Sequence, residues 1–232
     1  MNILWLITAR SGSKSIIDKN IKLLGNKPLL AYRIEQAKLT TIDNKIWLST
    51  DSKKYAEIGE EFGAEIPFIR PEYLSTDDAN SIEVVLHAMD FARNQNLKFD
   101  FIGLLEPTSP FISSSQLMEA VQILLNDENA NAIVAVKESR PNTFFIQPHL
   151  KYLNILSERF INTKKLGRQH FEKEITPSGG FYISKWENFL KFKTFYTPTT
   201  IPYLVDDISA LEIDEPIDWD FADFLINNKN KQ

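Results

Sequence analysis

The chain predicts an α/β fold, a single-domain, mostly parallel sheet with helices on both faces. Short apolar runs bounded by polar or turn residues alternate with amphipathic segments through the first 137 residues. The runs lack the apolar/polar alternation of a half-exposed strand, so they read as strands buried on both faces. The length of 232 residues and the 43% hydrophobic content suffice to bury one sizeable core.

The elements follow in order. "NILWLIT" is the first strand, and the apolar run stops at Ala9. "KPLLAYRIEQAKL" is a helix, with Pro28 near its start and Leu30, Ile34 and Ala37 at helical spacing. "KIWLS" is a strand, and "SKKYAEIGEEFG" a helix capped by Ser52 or Asp51 and stopped by Gly63. "SIEVVLHAMDFARNQ" and "SQLMEAVQILLND" repeat the amphipathic pattern around the strand "FDFIGLLE", and "NAIVAV" follows as another strand. That alternation predicts a mostly parallel sheet. Residues 138–177 break it with mixed aromatic, proline and charged residues. They predict an excursion from the sheet, a hairpin and short helix reaching a partner subunit, and fit a long surface loop with some helix equally well. "SGGFYIS" returns as a strand and "WENFLKF" as a short helix, and "ALEIDEPIDWDFADFLIN" reads as a strand, a turn at Glu215-Pro216 and a closing helix.

Composition removes several function classes. With no cysteine there are no disulfides, thiolate zinc sites or cysteine nucleophile. The 31 acidic residues outnumber the 26 basic ones, so the overall field does not favour nucleic acid. No apolar run nears the roughly 18 residues of a membrane span. The start passes straight into a strand pattern without a secretory signal, and a cytoplasmic protein is expected. Any anion must be caught locally.

The stretch "ARSGSKSIIDKN" at 9–20 is built for that. It follows the first strand, where open α/β sheets bind ligands. Gly12 lets the backbone come close to an anion, and backbone N–H groups, Ser11, Ser13 and the cations Arg10, Lys14 and Lys19 can surround phosphate oxygens. It is neither a Walker A loop nor the G-x-G-x-x-G of dinucleotide folds.

These residues resemble the nucleotide-binding signature of the acylneuraminate cytidylyltransferases, with a possible place in the branch that handles legionaminic or pseudaminic acid. The resemblance covers nearly the whole chain, with landmarks in order: "STDS" (49–52), "RPEYLSTDDANS" (70–81), "LLEPTSP" (104–110), "LGRQHF" (166–171), "SGGFYI" (178–183) and "ALEIDEPID" (210–218). It implies a Rossmann-like nucleotidyltransferase fold (GT-A-like) over 1–232, with 138–170 as an inserted dimerisation and sugar-site segment of a homodimer. It implies CTP and a nine-carbon sugar acid as substrates, a CMP-sugar and pyrophosphate as products, and Mg²⁺ as cofactor. Alternatives are an enzyme of the CMP-Kdo synthetase type and a non-catalytic nucleotide-binding assembly protein.

The resemblance also assigns roles. Ala9, Arg10, Ser11, Gly12, Ser13, Lys14, Asn20, Arg70, Ala79 and Ser81 fall on the nucleotide, with Arg10, Lys14 and Lys19 also stabilising charge during transfer. Lys19, Glu106, Arg168, Gln169, Tyr182, Phe195 and Tyr196 fall on the sugar acid, with the Arg168 fork suited to its carboxylate. Glu212 and Asp214 stand where relatives carry Asp-x-Asp as metal ligands, and i, i+2 spacing on a strand would aim both at one cation. Asp214 is the stronger direct ligand. Glu106 and Ile112 depart from the glutamine and arginine of many sialic acid enzymes, which points to a sugar other than N-acetylneuraminate, such as a diamino relative.

Overall fold

The computed structural model describes residues 1–139 and 174–229. The chain divides into two compact units, Met1–Val136 with Pro177–Gln232, and Lys137–Thr176. Of the second only residues 137–139 and 174–176, the ends of two strands, are described. The rest of the expected dimerisation segment, with Arg168 and Gln169, lies outside the described residues.

Strand β1 (Asn2–Thr8) leads through a 3-10 turn (Lys19–Ile21) and the small hairpin β2 (Leu23–Leu24) and β3 (Lys27–Pro28) into α1 (Leu29–Lys38). There follow β4 (Asp43–Ser49), α2 (Lys53–Phe62), α3 (Ser81–Asn94), β5 (Phe101–Leu105) and α4 (Ser114–Asn126). Then come β6 (Ala132–Ser139), β7 (Glu174–Lys185), α5 (Trp186–Phe192), β8 (Thr200–Leu204) and α6 (Pro216–Lys229). The main sheet has the order β4-β1-β5-β7-β6-β8. β1 runs parallel to β4 and β5, and β6 parallel to β8, while β7 is antiparallel to β5.

Alternate residues of β1 bury on opposite sides, as the strand period of 2 demands. Ile3, Trp5 and Ile7 join Leu30 and Ile34 of α1, Tyr55 of α2 and Leu117 and Val121 of α4 in one core. Leu4 and Leu6 join Val85, Ala88 and Met89 of α3 and Trp186 and Phe189 of α5 in the other. Helices therefore cover both faces, as expected. The caps also match: the Ser52 hydroxyl accepts from the Tyr55 N–H, and Gly63 closes α2 at φ 98°. Ser113 and Gln116 form a reciprocal capping box at α4.

Two expectations change. "ALEID" forms no strand; residues 211–214 run outside the sheet, held by the Ile213 N–H donating to the Thr108 carbonyl at 2.8 Å. The i, i+2 strand geometry for Glu212 and Asp214 is thereby replaced by a loop. "TIPYL", not expected as an element, is β8. Its Pro202 hides the strand in the sequence and is tolerated because β8 is an edge of the sheet.

Candidate active site

β1, β4 and β5 run the same way, so their carboxyl ends deliver the loops at 8–20, 49–52 and 106–108 to one end of the sheet. A cleft of about 510 Å³ opens there. Arg10, Ser13, Lys14, Lys19 and Asn20 line it from the first loop, and Arg70, Ala79 and Ser81 from the segment before α3. Glu106, Glu212 and Asp214 line it from the other side. The structure thus gathers most of the residues singled out in the sequence.

The first loop is tied down by its backbone and small polar groups. The Ala9 N–H donates to the Ser49 carbonyl at 3.0 Å, and the Ser11 N–H and hydroxyl donate to the Asp51 carboxylate at 2.8 and 2.7 Å. Buried Asn20 donates its amide to the Arg10 carbonyl at 3.1 Å. Ala9, Ser11 and Asn20 therefore shape the loop that carries the cations. Gly12 needs no special backbone: its φ is not positive, and a Cβ there would meet only the Arg10 guanidinium at 3.7 Å.

The three cations differ. Arg10 and Lys14 both contact the exposed Asp77 carboxylate, Arg10 at 2.6 Å, and this holds the Asp77 carboxyl below the usual range. Lys19 donates to the Ile213 carbonyl at 2.8 Å and lies 3.2 Å from Asp214. Its side chain is 12% exposed against 81% for Lys14. Lys19 is a fixed charge between the loop and the acids, and Lys14 an exposed one paired with Asp77. Arg70 is buried, donating to the Ser49 carbonyl at 2.5 Å and the Leu74 carbonyl at 3.4 Å, and burial pushes its pKa down to about 10. It braces the cleft wall as well as lining it.

Glu106 directly follows β5, and burial, then the Glu212 charge, pushes its pKa up to about 7 against the pull of Arg33 and Lys19. The Glu212 carboxylate lies against Gly179. That glycine has φ +57°, and a Cβ on it would stand 1.9 Å from Glu212 Oε1. Only glycine serves there.

The aromatic positions are less uniform. Tyr182 and Tyr196 hydrogen-bond each other; burial first, with Glu106 and Glu212 adding, raises both phenols, but neither lines the cleft. Phe195 is 2% exposed and packs on Phe189 and Tyr182, which makes it a core residue. Ile112 is likewise fully buried, against Gly180, so its departure from arginine says nothing of the cleft. The sequence yielded no role for Asp77 and, for Asp51, only that of an alternative helix cap. "STDS" and "STDDANS" held the signal, because acids close to a cation-rich loop must pair with it or hold it.

A cleft lined by exposed and buried cations together with carboxylates, beyond the carboxyl ends of a mostly parallel sheet, suits a nucleotide-handling α/β protein. The family model described as cytidylyltransferase matches residues 4–162, and the chain belongs to that family. It is 32% identical to the CMP-N,N'-diacetyllegionaminic acid synthase of Legionella pneumophila, over 97% of each chain. It is 35% identical to the N-acylneuraminate cytidylyltransferase of Escherichia coli over 99% of this chain, which spans only 53% of that relative. A solved structure titled CMP:2-keto-3-deoxy-manno-octonic acid synthetase complexed with CTP superposes with a TM-score of 0.71 at 13% identity, covering 99% of this chain and 100% of that one. That likeness speaks for the fold.

Proposed function

We propose that this chain transfers the CMP part of CTP to a nonulosonic, sialic-acid-like sugar acid. The anomeric oxygen of the sugar bonds to the α-phosphorus, the bond from that phosphorus to the pyrophosphate oxygen breaks, and pyrophosphate leaves as the hydroxyl proton is released. The observation that carries this is the gathering of Arg10, Lys14 and Lys19 with Glu106, Glu212 and Asp214 in one cleft. Arg10 and Lys14 hold the triphosphate; Lys19, fixed beside Asp214, meets charge building on the reacting phosphate.

Glu212 and Asp214 fit Mg²⁺. Two carboxylates with open cleft beside them match an ion that takes few protein oxygens and completes its shell with waters and phosphates. Bound there, Mg²⁺ would supply positive charge to the phosphate oxygens.

Names of the relatives support a nine-carbon acid over Kdo, since two of those similar along the whole chain are named for legionaminic and pseudaminic acids. Glu106 in the cleft supports a diamino sugar, whose amide N–H groups it can accept. We further propose a cytoplasmic homodimer; no helix among the described residues is long and apolar enough to cross a membrane. The test is pyrophosphate release from CTP and Mg²⁺ with N-acetylneuraminate, di-N-acetyl-legionaminate, di-N-acetyl-pseudaminate and Kdo, with ATP, GTP and UTP as controls. Turnover with CTP and a nine-carbon acid supports the reading. Turnover with Kdo alone replaces the substrate, and no CTP binding overturns the reading.

A further inference from the structure

Arg33, on α1, is completely buried. Its Nη1 donates to the Gln36 side-chain oxygen at 2.6 Å and its Nη2 to the Gly180 carbonyl at 2.5 Å, while its Nε finds no partner among the described residues. Gln36 in turn donates to the Pro110 carbonyl at 2.6 Å. One turn of α1 therefore clamps two segments: the start of the inner part of β7, and the loop that leaves β5. Both segments shape the acidic side of the cleft. The loop carries Glu106 at its head, and Gly179, next to Gly180, is the wall on which Glu212 rests.

A buried guanidinium with an unfilled donor is a poor way to gain stability, since an apolar side chain of similar volume fills such space at less cost. Its charge does have a counterpart. Arg33 and Glu106 act on each other electrostatically without a direct ion pair, and Arg33 stays cationic even though burial lowers its pKa to about 9. The sequence pattern does not single out residue 33.

We propose that Arg33 is a positioning residue for the sugar-acid subsite: its fork fixes the Gly179-Gly180 stretch of β7 directly and the 106–110 loop through Gln36, and its charge balances the Glu106 carboxylate. This rests on the proposed function, because Glu106 is taken to face the sugar acid. Arg33 itself touches no substrate.

The experiment is a double-mutant cycle in pyrophosphate release at saturating CTP, with the panel sugar acid that the unmodified protein turns over fastest. R33M and E106Q are each expected to raise the KM for that acid by about tenfold while the KM for CTP stays within about twofold. The double variant should be no worse than about the poorer single one, because each change removes the same coupled pair. R33K, which keeps the charge but not the fork, should fall between R33M and the unmodified protein. Thermal unfolding checks each variant, and if R33M does not fold, the R33K/E106Q cycle decides. Additive effects, or a rise in the KM for CTP equal to that for the sugar, overturn the proposal. An unmodified protein silent with every acid in the panel overturns the proposed function and this proposal with it, whereas an active one with an additive cycle overturns this proposal alone.

Discussion

The two walls of the cleft solve the same electrostatic problem in opposite ways. On the first-loop wall, outward of the fixed Lys19, the charges are exposed: Lys14 is 81% exposed, and its partner Asp77 lies at the surface. On the acid wall the charge at Glu106 is drawn inward, burial pushing its pKa up to about 7 with the buried Arg33 close enough to influence it, while Asp214 at the seam stays 66% exposed. Exposed charges are cheap to hold and quick to rearrange, so they suit a polyphosphate that must arrive and leave. Buried charges are costly and fixed, so they suit choosing among similar substrates.

Breaking the seam between the walls should cost most. Lys19 and Asp214 meet there, and Asp214 is the stronger metal candidate. D214N should lower kcat on the order of 10²–10³-fold, with little change in the apparent affinity for the sugar acid. Steady-state kinetics across a Mg²⁺ titration would check this; unchanged kcat would remove Asp214 from the metal site. Within the first loop, R10A/K14A should raise the KM for CTP by about tenfold or more, and the effect should shrink as ionic strength rises. G12A offers a sharper probe, since the fold asks for no glycine there. Its melting temperature should hold while its KM for CTP rises several-fold, about 1 kcal/mol of lost binding; a drop in melting temperature with unchanged KM would make Gly12 structural.

The contrast between the walls also explains what could be seen in the sequence. The first wall is local: Arg10, Lys14, Lys19 and Asn20 fall within eleven residues after a strand, so spacing alone placed them together. The strands of the parallel core were equally plain, because burial on both faces leaves continuous apolar runs such as "FIGLL". The acid wall joins residues 33, 106, 180 and 212, which are distant in sequence. Its members were visible only through resemblance, and Arg33 not at all, since a single arginine in an amphipathic helix looks solvent-exposed. Phe195 and Ile112 failed for a related reason: identity at a position does not tell which way a side chain faces. β8 was missed because Pro202 argues against a central strand and says nothing of an edge.

On the acid wall, pH separates charge from shape. Glu106 is raised from 4.5 to about 7, so the native state holds its proton more tightly than the unfolded chain does. The stability this contributes is full below about pH 4.5 and is lost as pH rises through about 7. E106Q, which does not titrate, should therefore gain on the unmodified protein over that window, by about 1–2 kcal/mol once solvent screening is allowed for. Denaturant unfolding in Mg²⁺-free buffer at both ends of the window would show it. A difference independent of pH would mean that Glu106 is not held in a desolvated place.

Asp77 should give the smallest effect and the most direct reading of the exposed wall. Its carboxylate contacts both Arg10 and Lys14, the two cations proposed to hold the triphosphate. A ligand drawn to those cations has to displace it, so part of the binding energy goes into breaking two contacts. Because the three side chains are 34%, 81% and 42% exposed for Arg10, Lys14 and Asp77, solvent screens the contacts and that cost is small. D77N should lower the KM for CTP by about two- to threefold at low salt, with kcat unchanged, and the gain should vanish as salt screens the pair. A raised KM would reverse the assignment: Asp77 would then be holding Arg10 and Lys14 in the geometry that receives the phosphates, and the exposed wall would be preorganised like the buried one.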